Sequence, residues 1–255
     1  MQIPVRRIFF VLALLCLSCP AWATWTVVQH ALSSSNCTAT SNTCALTVSS
    51  TGSGHLIIVG MGIGAVGEYI TGISDGGSTY VVNSGNLAGN ACAGQDAGAP
   101  YGSDCGYTLS SASGETTITV TRTDATSYLW RISATEYSFT ASSIAFDVVG
   151  NRDQSTNTTS PAGVTLSLTG SNDAIYQLDS TGSPSAISAL YTVSDFAAHL
   201  GAASCYSSCT GTAPTWTQLT NHAALSAIAF KEVSSSLGGV FNGNGKFSGG
   251  GVITP

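Results

Sequence analysis

The sequence predicts an all-β fold: an antiparallel two-sheet β-sandwich, jelly-roll-like, with at most one short helix. Three observations predict it. Short β-branched or aromatic segments alternate with Gly/Ser/Asn/Asp turns at a spacing of roughly 8–12 residues. Helical periodicity is almost absent. Beyond the N-terminal segment, the six cysteines fall into three close couples: Cys37 with Cys44, Cys92 with Cys105, and Cys205 with Cys209.

The expected strands, in order, are 25–30, 44–48, 55–65, 68–74, 78–83, 106–110, 115–121, 127–137, 144–150, 163–169, 173–180, 186–193, 215–219 and 223–233. "ETTITVTR" and "GVTLSLTG" alternate apolar and hydroxyl side chains, as half-buried strands do. "ALSAIAFKEV" alternates small and bulky groups and suits a central closing strand. The one helical candidate is "SDFAAHLG", residues 194–201. There Ser194 can cap, Asp195 suits the positive helix end, and Gly201 can take the left-handed stop.

The chain divides into three parts. Residues 1–23 read as a secretory signal peptide: Arg6 and Arg7, an apolar run from Ile8 to Leu17, then Ala21-Trp22-Ala23. That run is shorter than the ~20 residues of a membrane span. Residues 24–233 form the sandwich domain, and 234–255 a Gly/Ser-rich flexible tail. The implied location is secreted or cell-surface, the periplasm included. In that oxidising setting the close cysteine couples are read as three local disulfides, although sequence alone leaves other connectivities open.

Only 8% of the residues are charged. From Thr24 onward five basic side chains face thirteen acidic ones, a formal charge of −8. A negative balance excludes nucleic acid as a partner, because phosphate binding needs a basic face. No membrane span is expected in the mature chain.

"HLIIVGMGIGAVG", residues 55–67, carries the Gly-x-Gly-x-x-Gly spacing of a dinucleotide-binding turn. Such a turn must open a helix and be followed ~20 residues later by an acid. The continuation "EYITGISDGGSTYVV" is β-branched and turn-rich instead. The glycines are therefore read as one face of a strand, where a ring or another backbone can approach closely.

No Gly-x-Ser-x-Gly elbow or His-Glu-x-x-His motif occurs, and no cofactor is expected. The four histidines read as surface or capping groups. In "SYLWRISATEYSF", Tyr128, Trp130 and Glu136 share a strand face. An exposed aromatic pair beside a carboxylate could hold a sugar. The competing reading makes Trp130 a core aromatic over Gly60 and Gly62, with Glu136 anchoring loop backbone; interior strands normally bury their largest rings. The long loop 83–106 adds Tyr101 as a ligand candidate, and Asp96 and Asp104 as calcium candidates of generic character.

Three stretches carry a resemblance: "ITGISDGGSTYVV", "WRISATEYSFTASSIAFDVVG" and "LSAIAFKE". In that order they resemble motifs of uncharacterised secreted or surface β-sandwich domains from environmental bacteria such as Acidobacteria. The resemblance spans Thr24 to Val233. It departs at Ser138-Phe139, where a glycine is usual, and at Ala145-Phe146, in place of Pro-Leu. It implies a jelly-roll-like sandwich, often a module in larger surface proteins, and carries over no site residues.

The first expectation is a non-catalytic extracellular module binding glycan or another surface polymer, with segments 83–106 and 195–215 forming one rim. The alternative is a structural surface protein that self-associates through its C-terminal tail, whose Val240, Phe241, Phe247, Val252 and Ile253 are spaced apolar groups. A secreted hydrolase is the remaining class, for which no acid/base pair stands out.

Overall fold

The computed structural model describes residues 24–82, 92–96, 98–124 and 127–233, and the backbone of 240–241 and 247–248. Residues 1–23, expected to be a signal peptide, the loop stretch 83–91 and most of the tail lie outside the described residues. The strands are β1 (Trp25–Leu32), β2 (Thr43–Thr47), β3 (Leu56–Ile63), β4 (Ile70–Ser74), β5 (Val81–Val82) and β6 (Gly94–Asp96). Then come β7 (Tyr101–Thr108), β8 (Thr117–Arg122), β9 (Trp130–Phe139), β10 (Ile144–Thr158), β11 (Asp173–Ser180) and β12 (Pro184–Ile187). The last six are β13 (Val193–Ala197), β14 (Leu200–Cys205), β15 (Trp216–Gln218), β16 (Asn221–Glu232), β17 (Val240–Phe241) and β18 (Phe247–Ser248). No helix forms among the described residues, and every ladder is antiparallel.

Two large sheets stack face to face. The first runs β1-β9-β3-β7-β5, with β6 also pairing β7; the second runs β10-β16-β11-β14-β13. Leu56, Ile58 and Tyr137 of the first meet Tyr176, Leu178, Ile228 and Phe230 of the second in a common core. In neither sheet is the outer face of the central strands left to water. Ile57, Val59, Met61 and Ile63 point away from that core and are roofed by the small sheet β2-β8-β4 through Leu46, Ile118 and Val120. On the other side Ile175, Leu225, Ala227 and Ala229 lie under Trp216, Val164 and Leu166. Hence β3 and β11 are buried at all eight positions each.

The glycines of 55–67 belong to this stacking. Gly60 faces Leu178 and the Tyr176 hydroxyl, and a Cβ on Gly62 would stand 2.1 Å from the His199 carbonyl oxygen. Gly67 takes a φ of +79° in the turn before β4, which is a strand and opens no helix. A dinucleotide turn is thereby ruled out. Trp130 does not lie over Gly60 and Gly62 as the core reading placed it. It pairs with Ile63 and faces the opposite side, where Arg122 sits 5.1 Å from its ring. Hydroxyl pairs tie the two main sheets internally: Tyr137 to Ser204 at 2.5 Å, Ser133 to Tyr176 at 2.6 Å, and Ser226 to Ser103 at 2.8 Å. Each satisfied pair avoids the cost of about 1–3 kcal/mol for an unbonded buried polar group.

All three cysteine couples are bridged, with Cα–Cα distances of 5.5, 5.5 and 5.7 Å. Two expected elements differ. Residues 194–201 form a β-hairpin, not a helix: Ala197 pairs with Leu200 across a turn in which His199 adopts a φ of +70°. The alternation Val193, Asp195, Ala197 had the period of a strand, and cross-strand partners in β14 outweighed the local cap signals. Residues 163–169 pack as predicted, with Val164 and Leu166 buried and Thr165 and Ser167 exposed, yet join no ladder. Their backbone is bonded by Gly211, Pro214 and the Gln177 side chain instead. Segments 83–106 and 195–215 are also less loop-like than expected, since β6, β7, β13 and β14 fall within them. In the tail, Val240–Phe241 pairs with Phe247–Ser248.

The stacking makes a sharp contrast between two neighbouring glycines. Gly62→Ala should destabilise by about 3 kcal/mol, because the added methyl collides with backbone. Gly64→Ala should cost less than about 1 kcal/mol, since its nearest neighbour would be 3.6 Å away. Urea melts of both variants test this, and equal losses would refute the packing described.

Candidate functional site

The candidate ligand residues do not converge. Trp130 is wholly buried, its Nε1 donating to the Thr38 carbonyl at 3.3 Å, which corrects the exposed-platform reading. Tyr128 lies just before β9 and is exposed. Glu136 shares the Trp130 face but sits six residues along the strand, about 20 Å away. It is buried and accepts from Gly52 N at 2.7 Å, His55 Nδ1 at 2.6 Å and Gln29 Nε2 at 2.5 Å. Its task is to anchor the turn before β3, so it is no partner to the aromatic residues.

Asp96 and Asp104 also part company. Asp96 faces the second sheet, where it accepts from His222 Nδ1 at 3.0 Å and from Gly98 N at 2.8 Å. Asp104 faces the roof sheet and accepts from Ile70 N at 2.8 Å and Cys105 N at 2.7 Å. Burial pushes its carboxyl up to about 7 despite those two bonds. Among the described residues no three His, Cys, Asp or Glu side chains are grouped to hold a metal. A shared calcium site at this pair is therefore not formed.

Three histidines pair with carboxylates: His30 with Asp195, His55 with Glu136 and His222 with Asp96. Among the described residues no serine or threonine hydroxyl bonds the second ring nitrogen of any of them, so the nucleophile half of a triad is missing. Two of these pairs, His30–Asp195 and His222–Asp96, clasp the two main sheets together. The fourth ring, His199, stands 6.4 Å from Tyr101, so segments 83–106 and 195–215 do meet, at the end of the sandwich where β7 begins. Tyr101 there accepts from Asn221 Nδ2 at 2.7 Å. Burial and then the Arg131 charge lower the His199 pKa, and its Nδ1 has no partner.

A groove lies at the opposite end. Thr24, Trp25, Ser171, Asn172, Tyr206, Ser207 and Ser208 enclose a groove of about 330 Å³, within the usual size range of ligand pockets, ~300–1,000 Å³. Trp25 opens β1, with its ring held against Phe139 and Tyr137 and its Nε1 donating to the Asn172 carbonyl at 3.0 Å. Asn172 Nδ2 is in turn held by Glu232 at 2.6 Å. On the facing wall the Cys205–Cys209 bridge, only four residues in span, pins Tyr206–Ser208, with Ser208 at a φ of +55°. No charged side chain lines the groove. Such a wall can exchange hydrogen bonds with hydroxyls while the Tyr206 ring covers an apolar face. Sequence reasoning found the disulfide loop but not Tyr206; the signal was an aromatic and two serines inside so short a bridge.

Asp179 on β11 is the most isolated ionisable group. It is fully buried on the outer face of the second sheet, neither carboxyl oxygen has a partner, and burial pushes its pKa up to about 8. The unfolded value is about 3.9. Between those limits the folded chain keeps a proton that the unfolded chain releases, so Asp179 makes stability fall as pH rises from about 4 to 8. Asp179→Asn should therefore melt close to the parent near pH 4 and clearly above it near pH 8, by a few kcal/mol at about 1.4 per pKa unit. Thermal melts across that range check it; a difference independent of pH would contradict the assignment.

The chain matches no protein-family profile, and no curated protein shows significant similarity to it.

Proposed function

We propose that this chain is a non-catalytic extracellular module whose end groove binds a neutral, hydroxyl-rich glycan. The observation that carries the reading is the groove itself: uncharged, bordered by serine, threonine and asparagine groups, and walled by a tyrosine on a disulfide-pinned loop. A glycan offers many hydroxyls and patches of C–H surface, and these side-chain types complement both. No charged side chain lines the groove to favour an ionic ligand, while a wholly apolar one would strand the polar walls.

The extracellular setting rests on the signal-like N-terminus together with three disulfides, which persist where the surroundings are oxidising. A non-catalytic role is supported by the scattering of the carboxylates and by histidines that pair with acids alone. The sequence resemblance to secreted bacterial β-sandwich domains agrees with such a module.

Pull-down on a panel of insoluble polysaccharides with the full secreted chain tests the proposal. Retention should fall roughly tenfold, about 1.4 kcal/mol, for Tyr206→Ala, and stay unchanged for Tyr128→Ala. Circular dichroism should show both variants folded. No retention of the parent on any polymer, or equal retention of the Tyr206 variant, would count against the groove.

A further inference from the structure

On the second sheet, β10 and β16 are hydrogen-bonded neighbours, yet their ladder skips one residue. Phe146 pairs with Phe230 and Val148 with Ala229, which leaves Asp147 as the extra residue of a bulge. Bulges re-aim side chains. This one brings Asp147 Oδ1 to 3.1 Å from Lys231 Nζ, with the Asp147 side chain wholly buried and that of Lys231 one-third exposed. Thr169 holds both partners. Its N–H donates to Asp147 Oδ2 at 2.7 Å, its hydroxyl donates to Oδ1, and the same hydroxyl oxygen accepts from Lys231 Nζ at 2.7 Å.

A half-exposed ion pair would need none of this and would contribute at most about 1 kcal/mol. The third group is harder to explain as a salt bridge. Asp173, directly opposite Lys231 in the β11–β16 ladder, is buried, and its carboxyl lies beside that of Asp147 and the Gly170 N–H. Two carboxyl groups side by side cannot both ionise cheaply, so one of them is held as the acid.

The geometry points to an intramolecular amide bond between Lys231 Nζ and Asp147 Cγ, formed after folding and assisted by Asp173. It joins the first and the last strand of the second sheet. The groups begin as an ammonium and a carboxylate. A proton passes from Nζ to Oδ1, giving a neutral amine and a carboxylic acid. The Nζ lone pair then forms the N–C bond at Cγ, and the C=O π electrons move onto Oδ2, where the Thr169 N–H stabilises the charge. Collapse breaks the Cγ–Oδ1 bond. Asp173 gives its proton to the departing hydroxyl and takes one from Nζ, so that one water leaves and Asp173 ends as it began. The balance is one ammonium plus one carboxylate to one amide plus one water, with no oxidant or cofactor.

Burial, and next the Asp147 charge, raise Asp173 to about 6, so it retains a proton at mildly acidic pH. Against its own burial, bonds from Thr169 and Lys231 hold Asp147 below the usual carboxylate range, consistent with its starting as the anion. Fixed neighbours of this kind reach effective concentrations of ~10⁵ M or more, enough to drive a condensation that water opposes between free molecules. Once the amide exists, the Asp173 O–H has its carbonyl to donate to, and the repulsion between two neighbouring carboxylates is gone.

Mass spectrometry of the purified full chain decides the matter. The intact mass should lie one water, about 18 Da, below that of the sequence with its three disulfides. After reduction and trypsin, cleavage at Lys231 should be blocked and residues 132–152 should stay joined to 153–246. Lys231→Arg and Asp147→Ala should each restore the full mass, and Asp173→Asn should leave a large unlinked fraction. A folded parent protein that keeps its full mass, with 132–152 released as a free peptide, would overturn the proposal. The parent mass alone settles it, even if a variant folds poorly.

Discussion

Eight consecutive residues, Leu56–Ile63, have no face turned to water, and the rest of the molecule is arranged to satisfy that condition. A strand in an ordinary two-layer sandwich buries alternate side chains and wets the others. Here the even positions, Gly60 and Gly62 among them, press on the second sheet, and the odd positions press on a roof. The chain must therefore supply a second sheet close enough to touch glycine and a third layer to cover Val59 and Met61. It does so with β2-β8-β4, where Ile118, Val120 and the buried Arg122 look inward and Thr117, Thr119 and Thr121 look out.

The second sheet repeats the condition. Asp173–Ser180 is also buried throughout, and its outer face is covered by the β12–β15 pair and by the extended run 163–169. The polar groups trapped by this design define the chemistry of the molecule. Asp104, Asp173 and Asp179 all sit in layers from which water is excluded, and burial raises all three. The ends of the layers, where strands give way to pinned loops, are the places left for a ligand.

Much of this was legible in the residues, for identifiable reasons. The cysteine couples are local in sequence, and so were their bridges. The small-and-bulky alternation of 224–233 reflects two buried faces, and β16 does lie inside its sheet. What local pattern could not carry was partnership. The run 163–169 has the period of a strand but meets side chains and loop carbonyls, not a ladder. The cap residues of 194–201 suit a helix, while the neighbours that decide its form, Gly201 to Ser204 on β14, only matter once the hairpin closes. The same gap affected the site. Trp130 and Glu136 share a face yet serve opposite ends, and the groove joins Thr24 to Tyr206 across 181 intervening positions, an adjacency no motif announces.

The central claim is that the central strands of both main sheets are interior, covered on both faces. Native-state hydrogen exchange tests it most directly, because amides of a doubly covered strand exchange only when the whole domain opens. The account predicts that amides of Leu56–Ile63 and Asp173–Ser180 form one slowest class with a common opening free energy, well above those of the edge strand Ile144–Thr158. Exchange of Leu56–Ile63 at the rate of that edge strand would contradict it.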